Sequence, residues 1–120
     1  MKSNIVVALA AATLMAAPSL AANNEKICAA TKADSVAPDT IIEACTAIIK
    51  DSNFPAGAYY NRGNAHFDKG EWALAIDDYT HTLGLNPKHA NAMFNRGLAK
   101  KHLGDNAGGD ADMAAAKAMQ

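Results

Sequence analysis

The chain has 120 residues, 11 basic and 12 acidic, with a formal net charge of −1 and half of its residues hydrophobic. No basic stripe follows a phosphate backbone, which excludes nucleic acid as the expected partner, and the length suits one small domain.

Lys2 gives the chain a positive start, and residues 5–17 form an apolar run without charge. Pro18 breaks the run, and Ser19, Leu20 and Ala21 offer small residues where a signal peptidase reads. The pattern predicts a secretory signal over residues 1–21, cut after Ala21 with Ala22 as second choice. A membrane span needs about 20 apolar residues, more than this run holds. The mature chain loses Lys2 and no acid, so 10 basic residues face 12 acidic ones and the charge becomes −2. No further stretch reads as a membrane span, and the expected location is the periplasm or the outside of the cell. Cys28 follows Glu25, Lys26 and Ile27, not the small residues that precede a lipid-attachment cysteine.

A first helix is expected over residues 24–33, carrying Cys28, with a turn over 34–38 and a second helix over 39–50. Pro55 is well placed to open a helix over 56–69, which Gly70 ends. Residues 71–85 place Trp72, Ala75, Ile76, Tyr79 and Leu83 on one face at helical spacing, and Asn86-Pro87 stops that helix. Residues 90–103 form the next helix, ended by Gly104, and 105–120 its partner, with Asp105 as N-cap. Gly108 and Gly109 weaken that last helix, since an interior Gly costs about 1 kcal/mol relative to Ala. It is expected to be the least stable element, with a thin apolar stripe of Met113, Ala116 and Met119.

The helices recur with a period of 34 residues. Shifting by 34 superposes Asn61-Arg62-Gly63 on Asn95-Arg96-Gly97, and eight of the eighteen positions from Ala56 to Ala73 are identical. The phase also runs backwards, placing Ile41-Ile42 on Ala75-Ile76 and Cys45 on Tyr79. A period of this size means stacked supersecondary units.

These residues resemble the tetratricopeptide repeat family. Within 56–89, Tyr59, Gly63, Gly70, Ala75, Tyr79 and Pro87 stand where the family has its aromatic, glycine, loop glycine, small, aromatic and proline positions. Residues 90–120 form a divergent C-terminal repeat that keeps Gly97 and Gly104 but has Met93, Gly109 and Met113 at other signature positions. Residues 22–55 form a degenerate first repeat, matched only through phase and the Ile/Cys pattern of its second helix. More narrowly, the chain is similar to small exported bacterial proteins of this family, with a cysteine-bearing first unit followed by YYNRGNA-type repeats. The resemblance implies an all-α fold: an α-solenoid of antiparallel helix pairs in a right-handed superhelix, about two and a half to three repeats long.

Two cysteines in an exported chain are expected to pair. The repeat phase puts Cys28 and Cys45 on the inward faces of partner helices, so a disulfide would staple the first unit. A redox-active pair and two buried free thiols are the alternatives; no Cys-x-x-Cys motif is present to lower a thiol pKa. His66, His81, His89 and His102 show no ligand spacing and read as surface or half-buried side chains. No metal, cofactor or catalytic residue is expected, since no nucleophile or phosphate-loop motif occurs. Asp77-Asp78 reads as a solvated or capping pair, because adjacent residues do not face each other on a helix. Arg62 and Arg96 read as ties between helices, to carbonyls or to acids such as Asp78.

In the family, first helices line a concave groove. The resemblance puts Tyr60, Asn61, Asn64, Phe67 and Asp68 there in the middle unit, and Phe94, Asn95, Leu98, Lys101 and His102 in the next. Amides grip backbone groups in either sense, and aromatic faces add apolar contact, a combination suited to a peptide. Asn61 and Asn95 serve either that purpose or the hydrogen bonding of helix packing. Some relatives hold a C-terminal carboxylate with Asn and Lys at such positions; Asn64, Asn95 and Lys101 echo this set, but its other basic members are missing. The expected function is a protein- or peptide-binding scaffold of the cell envelope, not an enzyme. The alternatives are a structural module whose C-terminal helix packs on a second copy, and a thiol-responsive protein acting through Cys28 and Cys45.

Overall fold

A computed structural model describes residues 19–120, and the predicted signal, apart from its last three residues, lies outside the described residues. Six α-helices follow in order: α1 (Leu20–Cys28), α2 (Pro38–Asp51), α3 (Ala56–Asp68), α4 (Trp72–Leu85), α5 (Ala90–His102) and α6 (Asn106–Ala118). Gly70 and Gly104 end the turns after α3 and α5 at φ +72° and +90°, a region closed to most side chains. Asp105 caps α6 as expected, its Oδ1 accepting from the Gly108 N–H at 2.9 Å.

The first helix departs from expectation. It ends at Cys28 rather than continuing to residue 33, and Lys32–Asp34 forms a separate 3-10 turn. The Asp34 carboxylate accepts from the Thr31 backbone N–H at 2.7 Å and from its hydroxyl at 2.9 Å. This local capping pair competes with helix continuation, and Ser35 then reverses the chain at φ 55°. Pro38, assigned to the turn, instead occupies the first position of α2, where its missing N–H costs nothing.

Each helix packs on its neighbours in sequence, so the chain is an α-solenoid of helix pairs. In addition α1 touches α3 and α3 touches α5, whereas α2, α4 and α6 do not touch one another among the described residues. The first helices therefore form the tighter, inner layer of the curve.

Small residues set the helix spacing. A Cβ on Gly63 would lie 2.9 Å from Tyr79 Cε1, and one on Gly97 would lie 2.7 Å from the Gly109 carbonyl oxygen. Gly109, expected only to weaken α6, faces Gly97 across the α5–α6 crossing, so its missing side chain allows the close approach. Most of the buried apolar residues fall into two clusters. Cys28, Ile41, Ala44, Cys45, Ala58 and Ala65 form one; Ala75, Tyr79, Leu83, Ala92 and Ala99 form the other, with Trp72 and Ile76 packed against it.

A repeated polar tie locks the pairs together. Arg62 donates to both carboxylate oxygens of Asp78 at 2.9 and 2.8 Å and to Thr46 Oγ1 at 3.1 Å. One period on, Arg96 does the same with Asp112, at 2.7 and 2.9 Å, and with Thr80 Oγ1 at 3.3 Å. Each arginine thus joins its own pair and reaches the second helix of the preceding pair. Asp78 is consequently buried, not solvated as its place beside Asp77 suggested, while Asp77 is exposed. One period before Arg62 the chain has Cys28, and in the first pair a Cys28–Cys45 disulfide with Cα atoms 4.9 Å apart joins the two helices; Cys45 itself is in phase with Tyr79, one residue after Asp78. Both cysteines are buried.

Candidate functional site

The inner layer encloses an open groove of about 710 Å³. One wall comes from the end of α1, the 3-10 turn and the start of α2, through Ala29, Ala30, Thr31, Lys32, Val36, Pro38 and Ile41. The opposite wall is the inner face of α3, through Tyr60, Asn61, Asn64, Ala65, Phe67 and Asp68, extended by Asn95 and Leu98 of α5 and by Tyr79 of α4 at the floor. The structure therefore brings together Tyr60, Asn61, Asn64, Phe67, Asp68, Asn95 and Leu98 from the expected set.

Phe94, Lys101 and His102 are placed elsewhere. Phe94, one period after Tyr60, lines a separate recess of about 430 Å³ with Met113, Ala114, Ala116, Lys117 and Gln120. Lys101 turns toward α6, where its Nζ bonds Asp110 Oδ1 at 2.6 Å and its aliphatic stem covers Gly109. Having no side chain, Gly109 leaves room for that stem, which draws Lys101 away from the groove. His102 stacks on Trp72 with ring centroids 3.9 Å apart and planes 4° from parallel.

A hydrogen-bonded amide relay organises the floor. Asn64 Oδ1 accepts from the Tyr79 hydroxyl at 2.7 Å and from Asn95 Nδ2 at 3.2 Å. The bond links α4, α3 and α5, so Asn95 does serve helix packing, and through the same bond its orientation is fixed toward the groove. Asn61 makes no side-chain hydrogen bond among the described residues. Burial pushes the Tyr79 phenol well above its ordinary range, with the nearby Tyr60 adding to the effect, so it stays a neutral donor at neutral pH. Tyr60 leans on Tyr79 and His89, with centroids 6.0 and 4.5 Å away, and Phe67 meets Trp72 edge-on at 4.9 Å. At the rim Lys32 Nζ lies 3.0 Å from Asp68 Oδ1, bridging the two walls.

The wall contributed by residues 29–38 was missed by sequence reasoning, which read it as a helix end and a plain turn. The signal was present in Thr31-Lys32-Ala33-Asp34, a hydroxyl and an acid three residues apart, as in a capping box. The histidines are placed without a shared centre: His66 Nδ1 lies 3.1 Å from Glu71 Oε1, and His81 stacks on Tyr59 at 4.7 Å. No group of three metal-binding side chains converges among the described residues, and no described helix is long and apolar enough to cross a membrane.

Residues 56–89 match the family model of the tetratricopeptide repeat. No curated protein matches the chain. A helical fold of this kind is typically a scaffold for protein–protein interaction rather than an enzyme. A matched repeat thus stands at the centre of the chain with a helix pair stacked on either side of it, so the chain carries a tetratricopeptide repeat within an α-solenoid.

Proposed function

We propose that the protein is an exported adaptor of the bacterial cell envelope that binds a protein or peptide in the groove between α1–α2 and α3–α5. The observation that carries this reading is the composition of the groove: Tyr60, Phe67 and Leu98 for apolar contact, and three amides, Asn61, Asn64 and Asn95, on one wall. Pockets of this kind are apolar with a few placed polar groups. The export part rests on the apolar run of residues 5–17 and the small residues before Ala22. A buried disulfide also agrees with an oxidising compartment.

The test is affinity capture from envelope extract with the mature chain, beside a Tyr60→Ala, Asn61→Ala, Leu98→Ala variant of equal helicity and a Phe94→Ala control. A partner held by wild type and by the control, and lost by the triple variant, supports the groove. Partners held equally by all three count against it.

A second reading, self-association through the C-terminal helix, draws on the recess beside α6, where Phe94 is 41% exposed. Sedimentation at rising concentration decides it, and a monomer throughout removes it. The thiol-responsive reading is the least favoured, because Cys45 has no solvent-exposed surface from which a disulfide exchange would start.

A further inference from the structure

We infer that the groove recognises an internal, uncharged and extended stretch of its partner, not a chain terminus, an acidic segment or a helix. This rests on the reading of the groove as the binding surface.

The first observation is the state of the amides. A carboxamide has one acceptor oxygen and a nitrogen with two donor hydrogens. The Asn64 oxygen already accepts from the Tyr79 hydroxyl at 2.7 Å and from the Asn95 nitrogen at 3.2 Å. What Asn64 offers a guest is therefore its N–H, and what Asn95 offers is chiefly its oxygen. Among the described residues no buried side-chain nitrogen or oxygen lacks a partner, so these unpaired groups are accessible, and both residues line the groove. One donor and one acceptor, held in register by Tyr79, complement the carbonyl and N–H of a peptide backbone. Asn61, one turn before Asn64, adds a further amide without a bond of its own. A helix keeps its backbone groups bonded internally and would leave these amides unanswered; an extended strand presents them.

The second observation is charge. A carboxylate guest needs a cation or several convergent N–H donors to replace its water. Lys32, the cation lining the groove, is paired with Asp68 at 3.0 Å. Lys101 is paired with Asp110 and Lys100 with Asp112. Arg62 and Arg96 are both fully engaged with carboxylates. Lys32 and Asp68 are the charged side chains that line the groove, and they face each other at its rim; among the described residues no cation lines it beside the amides. A charged group seated against the amides would lose water without a charged partner, whereas an uncharged stretch would not.

The third observation is the facing wall. Ala29, Ala30, Val36 and Ile41 are apolar and small or branched. Side chains of an extended chain alternate in direction, so one set meets this wall while the backbone reaches the amides.

The test selects random peptides displayed in two formats, flanked on both sides by carrier or ending in a free carboxylate, on the full chain with its disulfide intact. Flanked, uncharged sequences are expected to be enriched. Their retention should fall about tenfold on Asn64→Asp, which keeps the shape but replaces the donor with a charged acceptor, should also fall on Asn61→Ala, which adds no charge and breaks no bond within the described chain, and should be unchanged on Phe94→Ala. Helicity and thermal midpoint are measured for each variant, and Asn61→Ala keeps the test valid if Asn64→Asp unfolds. Enrichment of free carboxyl ends or acidic sequences, lost on Tyr60→Ala, would overturn the inference and leave the groove reading standing. Enrichment indifferent to every groove variant, or none in either format, would overturn both.

Discussion

Gly57 and Gly63 lie in the same helix, α3, and replacing each by Ala separates backbone propensity from packing. A Cβ on Gly57 meets nothing within 4 Å. A Cβ on Gly63 would lie 2.9 and 3.0 Å from two ring carbons of Tyr79 and 3.2 Å from Asp78 Cβ. Neither neighbour has an easy escape: the Tyr79 ring is fully buried and its hydroxyl is tied to Asn64, while Asp78 is held by Arg62. Both substitutions gain helix propensity, up to about 1 kcal/mol in a helix interior and less in the first turn, where Gly57 sits. Only Gly63→Ala meets the overpacking cost of about 1–3 kcal/mol. Gly57→Ala should therefore stabilise the protein by about 0.5 kcal/mol, and Gly63→Ala should destabilise it by about 1 kcal/mol or more. In a domain of this size the gap amounts to roughly 10 °C in thermal midpoint. Urea unfolding followed by circular dichroism at 222 nm reads both, and unchanged m-values would confirm that the free energies are comparable. Gly63→Ala matching Gly57→Ala within a few tenths of a kcal/mol would refute the packing argument and the close α3–α4 crossing with it.

Replacing Cys28 and Cys45 together by Ala should cost about 3 kcal/mol, the loop-closure entropy of a cross-link of this span; a urea midpoint equal to wild type would mean the bridge does not hold the first pair. Arg62→Ala should destabilise by about 3 kcal/mol, because it leaves buried Asp78 with only the His66 ring, 3.8 Å away, beside it. Arg96→Ala should cost less, since Lys100 still lies 2.9 Å from Asp112; an equal or larger loss there, measured by the same unfolding assay, would contradict the assigned contacts. Stability should also fall in acid. Burial pushes the Asp112 carboxyl up, but bonds from Arg96 and Lys100 outweigh this and hold it below its ordinary value of 3.8. A carboxyl lowered in the folded state contributes stability that is fully present above about pH 4 and is lost as the pH falls through its folded value. A urea midpoint followed from neutral pH downward should show this decline, reduced in Asp112→Asn.

Most of the fold was legible because the period carried it. Asn61-Arg62-Gly63 and its copy at Asn95-Arg96-Gly97 fix the phase, and the phase locates Gly70, Gly104, Tyr79 and the buried faces of α4 and α2. What periodicity does not carry is local chemistry between the repeats. The end of α1 depends on one carboxylate, Asp34, bonding back to Thr31, and that bond creates the groove wall the repeat pattern missed. The misplacement of Phe94 and Lys101 has a related cause. Translating Tyr60 and Phe67 by 34 residues assumes that every unit has the same neighbours. Phe94 instead lines a recess together with Met113 and Lys117 of α6, and the bare backbone at Gly109 admits the Lys101 stem where a side chain would exclude it. The Arg62–Asp78 tie was half legible, since the acid was named but its burial was not: two adjacent carboxylates look alike in sequence, and only the helix phase, with Tyr79 turned inward beside Asp78, separates them. Cys28 stands one period before Arg62, and each joins the first helix of its pair to the second, through partners one residue out of phase, Cys45 and Asp78.

The most direct test of the binding groove is site-specific photocrosslinking in the cell that makes the protein, with a photoreactive side chain placed singly at Asn61, at Phe94 and at Leu74. Asn61 lines the groove, Phe94 lines the separate recess beside α6, and Leu74 is exposed on α4 at 47%. The account predicts a discrete adduct from position 61 and none of the same mass from 94 or 74. A partner captured at 94 or 74 and absent at 61 would contradict it.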